Sequence, residues 1–434
     1  MYRRRVNSMR PPLLLIAAAV VSVAVAAIPL LYLLVRTSSA GWNAVVEALF
    51  RDRTLETTIT SVALVTLVIV GCLVIAVPTA WLLARTNIPG RAFFLVIAAL
   101  PLAVPSYVMA YAWIAEFPSM SGIGAAALVM VLATYPYVAI PLTAALRSID
   151  AGHEEAAQSL GLGPLAVARR VSLPLAWPAA AAGVLLAALY TLSEFGTVAI
   201  FRVDAFTRVI YTAYRASFDR TTAAVLSLVL VCLALLLVVI EARIRGKSQR
   251  WRTGSGVSRP APRQQLRTRN TVLGVAWLVG VAVLSLGVPA WSLTRLLLES
   301  QRSELDIGEL VGAVVGSVSS SILGAALALL LALPIAALAA RYRSRIVRSI
   351  EGAAFLGHAL PGVVVGLSLV FLTLAVLPAA YQTLAVLAFA YAVLFLPKAI
   401  GSSRSAIAHV PPGLESTARS LGRGPLRAWC TVTG

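Results

Sequence analysis

Long apolar runs separated by short polar stretches recur along the whole chain. They fall at about 13–35, 58–84, 92–115, 123–146, 175–200 and 222–242, and again at about 271–298, 311–340, 353–377 and 379–400. A run of 18 or more apolar residues is long enough for a helix to cross about 30 Å of hydrocarbon. Helices satisfy their backbone groups internally, so they are the default spanning element. The short alternating segments of a membrane barrel are absent from the sequence. The pattern predicts an all-α polytopic membrane protein with about ten spans.

Composition agrees. The chain is 59% hydrophobic and 12% charged, with a mean hydropathy of +0.89, whereas a soluble domain is about a quarter charged. The net charge of +19 would suggest nucleic acid in a soluble chain. Here the arginines sit between the apolar runs and read as topology determinants, so no nucleic-acid partner is expected. Basic residues precede the first run (Arg3, Arg4, Arg5, Arg10) and follow the second (Arg85, Arg91), fourth (Arg147, Arg169, Arg170), sixth (Arg243 to Arg269) and eighth (Arg341 to Arg348). The other loops carry Glu47, Asp52, Glu56, Glu116, Glu299, Glu304, Asp306 and Glu309. The positive-inside rule therefore puts the N-terminus in the cytoplasm of a plasma (inner) membrane protein. The loop at 201–220 is the weak point, with Arg202, Arg208, Arg215 and Arg220 on the predicted outside. The run from Leu13 to Val35 is too long for a signal-peptide core and reads as a retained first helix. Cys72, Cys232 and Cys430 form no CxxC pair, and the first two are expected to be small core residues.

The two groups of runs correspond. SLGLGPL at 159–165 returns as SLGRGPL at 420–426, identical at six of seven positions. VPTAWLLAR (77–85) matches LPIAALAAR (333–341), ALPLAVPSYV (99–108) matches ALPGVVVGLS (359–368), and YPYVAIP (135–141) matches YAVLFLP (391–397). The expected organisation is a first repeat at 1–243, a flexible basic linker at 244–270 and a second repeat at 271–434. Six spans return the chain to one side, so the repeats are parallel and related by an axis along the membrane normal. On this alignment Gly434 falls where Leu173 stands in the first copy, and counterparts of 174–243 are not present. The linker is rich in Arg, Ser, Pro and Gly, and contact with anionic lipid is a plausible secondary role for it.

The cytoplasmic stretch 151–174 is polar and helix-forming. Glu155-Ala156-Ala157 is followed after three residues by Gly161, and nine residues later by Val171-Ser172-Leu173-Pro174. This resembles the EAA loop of bacterial ABC-importer permeases, E-A-A-x3-G-x9-I-x-L-P, with Val171 in place of Ile. TLSEFGTVAIF (191–201) resembles a stretch of the iron(III)-type members, where an acid-Phe-Gly run follows that loop. The fused two-fold architecture also fits that group; thiamine and phosphonate permeases share it. The resemblance implies a transmembrane subunit served by two cytoplasmic ABC ATPase subunits and an extracytoplasmic solute-binding protein, with ATP hydrolysed in the ATPase subunits. It places ATPase coupling on Glu155, Ala156, Ala157, Gly161, Gly163 and Pro174. Ala156 and Ala157 would permit close approach, Gly161 and Gly163-Pro164 would break the helix into two arms, and Pro174 would open the next span. The competing reading is an ordinary interfacial amphipathic helix. In the second copy, 412–434, Glu415, Gly422 and Gly424 are present, but Ser416, Thr417 and Ala418 replace Glu155, Ala156 and Ala157.

Three residues are candidates for a translocation path. An ionised Glu194 near the membrane is costly and functional by default, against a carboxylate paired with Arg202 or Arg208. His358 fits a satisfied structural histidine better. Tyr111, with Tyr107 and Trp113, fits an interfacial belt better than a pathway wall. Gly246-Lys247-Ser248 is not a phosphate loop, since Glu241 occupies the first glycine position and no strand precedes it. The three histidines lack metal-ligand spacing, so neither a cofactor nor a metal site is expected, and no acid-base or nucleophile cluster suggests an enzyme. Two other classes remain: an ion-gradient transporter, which should carry mid-membrane charges and broken helices, and an inactive membrane protein lacking its last spans.

Overall fold

In the computed structural model the described residues are 11–39, 41–215, 220–248, 263–299, 306–342, 344–355, 360–410 and, in the last segment, 414, 417, 418, 420–422, 424, 427 and 431. Among them the architecture is helical throughout, with a single isolated bridge between Thr86 and Gln264. Among the described residues eight helices are long and apolar enough to cross a membrane: Leu13–Ser39, Asp52–Arg85, Gly122–Arg147, Pro164–Ser193, Thr221–Ile240, Thr268–Glu299, Ile307–Arg341 and Leu384–His409.

The two remaining expected runs differ from straight spans. The run at 92–115 divides into Arg91–Ala103 and Ser106–Glu116, bent by 94°. Pro105 is the cause: a residue before proline is pushed out of the helical region, and Val104 sits extended at φ −92°, ψ 119°. The run at 353–377 is likewise divided. Helix Gly362–Val376 begins after Pro361, itself extended at ψ 143°; the helix before it spans Arg345–Phe355, and residues 356–359 lie outside the described residues. Both breaks fall in the matched Ala-Leu-Pro stretches.

Packing does not follow chain order. One compact unit consists of Met1–Gly41 and Leu305–Gly434, the other of Trp42–Glu304. In the first unit, helix 13–39 packs on helices 307–341, 345–355 and 362–376, and the pairing of 307–341 with 384–409 is the most extensive. Its core includes Ala19, Ala26, Ala332, Ile335, Leu338, Leu396 and Ile400. Gly324 of helix 307–341 lies against Tyr391, where an added Cβ would sit 2.8 Å from the tyrosine Cβ.

In the second unit, helix 122–147 is the central member, with 72% of its apolar window buried. Helices 52–85 and 164–193 pack on it and on each other, and 164–193 also packs on 220–248. Small residues set these distances, since helices in lipid associate by close backbone approach rather than by hydrophobic exclusion. Gly71 faces Val131, and Gly183 lies directly on the backbone of Tyr137 and Val138. Leu64, Val68, Met109, Met130, Tyr135, Val138 and Leu142 fill the space between. Cys72 is buried beside Thr134, whereas Cys232 is exposed rather than in the core.

The second unit contains the chain's connection between its halves. Helix Arg220–Ser248 runs beyond the expected boundary at 243, and the next helix begins at Thr268. Residues 264–266 are not free. Gln264 N–H donates to the Arg85 carbonyl (2.8 Å), Asn87 N–H donates to the Gln264 carbonyl (3.3 Å), and Leu266 N–H donates to Asn87 Oδ1 (3.0 Å). This end of the expected flexible linker is thus zipped to the end of helix 52–85; residues 249–262 lie outside the described residues.

Candidate functional site

The stretch 151–174 forms a helix, a turn and a second helix. Asp150 caps the first, Ala151–Ser159, by accepting from Gly152 N–H at 2.9 Å. The helix stops because Gly161 adopts φ +84°, the left-handed conformation that glycine takes without a Cβ penalty. Gly161 N–H then donates to the Gln158 carbonyl (2.8 Å) and Leu162 N–H to the Ala157 carbonyl (3.2 Å), which satisfies the last carbonyls in a Schellman arrangement. Gly163 caps the next helix, and Pro164 occupies its first turn, where a missing N–H costs nothing. The two-arm break expected at Gly161 and Gly163-Pro164 is present.

The following span begins ten residues before Pro174, at Pro164. Pro174 therefore does not open it. The helix passes through a π turn at Ala168–Ser172, with Leu173 N–H donating to the Ala168 carbonyl. Proline inside an α-helix clashes with the carbonyl four residues back; the wider π turn immediately before Pro174 makes room for it.

Exposure sorts the expected coupling residues. Glu155 and Ala156 are exposed, as are Leu160, Gly161, Gly163 and Leu165, and Pro174 is exposed further on. Ala157 is 7% exposed and turned inward, so of the two alanines Ala156 is the one on the outer face. In the second copy Gly422 takes φ +82°, and Leu421 N–H donates to the Thr417 carbonyl as Leu160 N–H does to that of Ala156. Gly424 has open space around its Cα, as Gly163 has. Glu415 lies outside the described residues.

Sequence reasoning missed the carboxylate before Glu155. Glu154 points inward and forms an ion pair with Arg85, whose side chain is 4% exposed. The fully buried Ser172 hydroxyl donates to the same Glu154 Oε1 at 2.5 Å. The signal available was the Arg that ends both VPTAWLLAR and LPIAALAAR, but its partner is a tertiary neighbour that no local pattern names.

The path candidates separate as well. Glu194 is half-buried and accepts from the backbone N–H (3.0 Å) and hydroxyl (3.3 Å) of Thr197, at the start of helix Gly196–Ile200. Arg208 pairs with Asp204 instead. The nearby Tyr190 hydroxyl donates to Ser106 Oγ at 2.8 Å. Tyr107 and Tyr111 are exposed at 56% and 53%, whereas Trp113 is 5% exposed and belongs to the core rather than to a belt or wall. His358 lies outside the described residues. Among the described residues no group of three or more His, Cys, Asp or Glu could hold a metal ion.

Eight or nine apolar spans among the described residues, with a broken polar helix at the end of one helical core, define a multi-pass α-helical membrane protein. Residues 76–247 match the family described as "Binding-protein-dependent transport system inner membrane component". The chain is 34% identical over 426 residues to the Fe(3+)-transport system permease protein FbpB 2 of Haemophilus influenzae, covering 98% of this chain and 84% of that protein. It is 28% identical over 184 residues to the molybdenum transport system permease protein ModB of Escherichia coli, 37% of this chain and 80% of that one. A chain of the inward-facing MetNI methionine ABC transporter superposes with a TM-score of 0.39 at 20% identity, over 45% of this chain and 96% of that one. The chain belongs to the binding-protein-dependent permeases, the inner-membrane subunits of ABC importers. Members of that family are permease subunits, not enzymes.

Proposed function

We propose that this chain forms the transmembrane path of an ATP-driven importer of iron(III), with the N-terminus in the cytoplasm. The observation that carries the solute is the near full-length similarity to the Haemophilus protein named for Fe(3+) transport. A binding protein delivers the solute outside. Two ATPase subunits dock inside, one on the exposed face of helix 151–159 and the turn after it, the other on the corresponding stretch from residue 412 onward. ATP-driven closure of the ATPases opens the path outward, and hydrolysis resets it. Proteoliposomes holding the permease and its ATPase, supplied with loaded binding protein, should take up radiolabelled iron(III) only with ATP inside. Uptake of thiamine or a phosphonate in place of iron reassigns the solute.

The distribution of arginines supports the orientation. A cysteine introduced at Ser159 should be inaccessible to an impermeant thiol reagent on intact cells; labelling there inverts the topology.

Glu194 and Tyr111 border the path on this reading. Glu194→Gln keeps an oxygen for Thr197 but removes the charge, so the helix start survives. Iron uptake should fall about tenfold, equivalent to about 1.4 kcal/mol, with ATPase binding unchanged. Unchanged uptake would leave Glu194 as a helix cap alone.

A further inference from the structure

We infer that Arg85, through a buried pair with Glu154, is a positioning residue that locks the docking helix to two membrane spans so that the three move as one body. The inference rests on the reading of 151–174 as the ATPase-coupling loop, and it adds a residue from outside that loop.

The geometry is specific. Arg85 is the last residue of helix 52–85, Glu154 lies in the first turn of helix 151–159, and Ser172 ends the π turn of helix 164–193. Glu154 Oε1 takes both the Arg85 guanidinium and the Ser172 hydroxyl, so both arms of the loop are closed on each other and pinned to a third element. Arg85 is held in turn. Its guanidinium lies 5.9 Å from the centre of the Trp81 ring, and its carbonyl accepts from Gln264. The neighbouring Arg147 donates to the Leu83 carbonyl at 3.0 Å. The pin faces away from Glu155, Ala156, Leu160 and Leu165, which leaves the docking face clear.

A buried ion pair is weak grounds for stability, because desolvation offsets the attraction; what it supplies well is a fixed geometry. A loop held only by apolar contacts can slide on the span ends, whereas a shared carboxylate oxygen admits one arrangement. The second half carries the same parts. Arg341 stands where Arg85 does, Glu415 where Glu154 does and Thr433 where Ser172 does. The second copy has Ser416 at the position of the docking Glu155 but keeps the carboxylate of the pin. The two copies therefore share the residue types of the pin and not the exposed acid; in the second, Arg341 donates to the Val410 carbonyl at 2.9 Å, and Glu415 and Thr433 lie outside the described residues.

The test reconstitutes the permease with its ATPase and binding protein in liposomes and compares Arg85→Gln, Glu154→Gln and the double variant. Two quantities are read: ATPase subunit bound per permease, and the ratio of binding-protein-stimulated to basal ATP hydrolysis. Coupling between sites is typically worth 5- to 150-fold. Each single variant should bind ATPase normally and lose the stimulation ratio about tenfold, and the double variant should lose no more than either single. A defect of folding alone would lower both activities in proportion and leave the ratio intact. The paired variant Arg85→Met with Glu154→Leu removes both charges at similar volume, and should fold yet remain unresponsive to binding protein. Wild-type ratios in the single variants, additive losses in the double, or normal stimulation of the Met/Leu pair would overturn the inference. So would failure of every variant, the Met/Leu pair included, to fold. Wild-type permease that binds no ATPase would instead overturn the coupling reading, and this inference with it.

Discussion

Replacing Gly183 with valine is expected to abolish recovery of a folded, monodisperse protein from detergent extracts. Helix 164–193 crosses the central helix 122–147 at this glycine, and a Cβ there would meet the Tyr137 carbonyl oxygen and lie 2.7 Å from Val138 Cα. The obstacle is backbone, so no side chain can swing aside. Overpacking of a core costs about 1–3 kcal/mol even for small additions, and a β-branched side chain adds two more carbons against a fixed surface. Against a total stability of about 5–15 kcal/mol, Gly183→Ala should lower the melting temperature clearly and Gly183→Val should leave little folded protein. Gly124→Ala is the control. Nothing lies within 4 Å of its Cβ position, and the exchange inside helix Gly122–Thr134 should be neutral or stabilising by about 0.5–1 kcal/mol. Size-exclusion chromatography with a thermal melt reads both. A Gly183→Val protein as stable as wild type would mean that these helices do not cross here.

The second large effect is expected at Ala156. Its side chain is exposed on the docking helix, so arginine there fits the isolated permease without strain. At an interface it would intrude where two backbones need to approach. Loss of a central interface contact costs about 2 kcal/mol or more, and a bulky charge at such a site exceeds that. Ala156→Arg should therefore reduce ATP-driven iron(III) uptake by roughly a hundredfold, equivalent to about 2.7 kcal/mol, with the melting temperature of the permease unchanged. Ala157→Arg is predicted to behave differently, because Ala157 is buried: it should destabilise the helix itself. A variant at Ala156 with full uptake would remove helix 151–159 from the coupling role.

The class of fold was legible because a membrane span is a one-dimensional signal: length and apolarity suffice. The break at Gly161 and Gly163-Pro164 was legible too, because a left-handed glycine and an N1 proline act within four residues. What escaped depends on contacts distant in sequence or on competing local effects. The Val-Pro step at 104–105 and the Leu-Pro step at 360–361 interrupt two apolar runs that hydropathy joins into single spans. Pro174 reads from the sequence as a helix start because proline needs no donor there; the π turn at Ala168–Ser172 offers the same relief inside a continuing helix. Helix 13–39 packs with 305–434 rather than with the residues that follow it, and an all-apolar helix carries no mark of its partner. Trp113 looked like a belt residue by type, yet it is covered by the core. Arg85 and Glu154 are charges 69 positions apart in the chain, each unremarkable alone, and only the fold brings them together.

The central claim is that the broken cytoplasmic helix joins this permease to ATP hydrolysis. It is tested most directly by extracting the tagged full-length protein from its native membrane in mild detergent and taking the masses of everything that accompanies it. The account predicts an ATP-binding subunit bound to the wild-type chain and absent from the equally well folded Ala156→Arg variant. A wild-type chain that extracts folded and alone, or an ATP-binding subunit that stays bound to the variant in full, would contradict it.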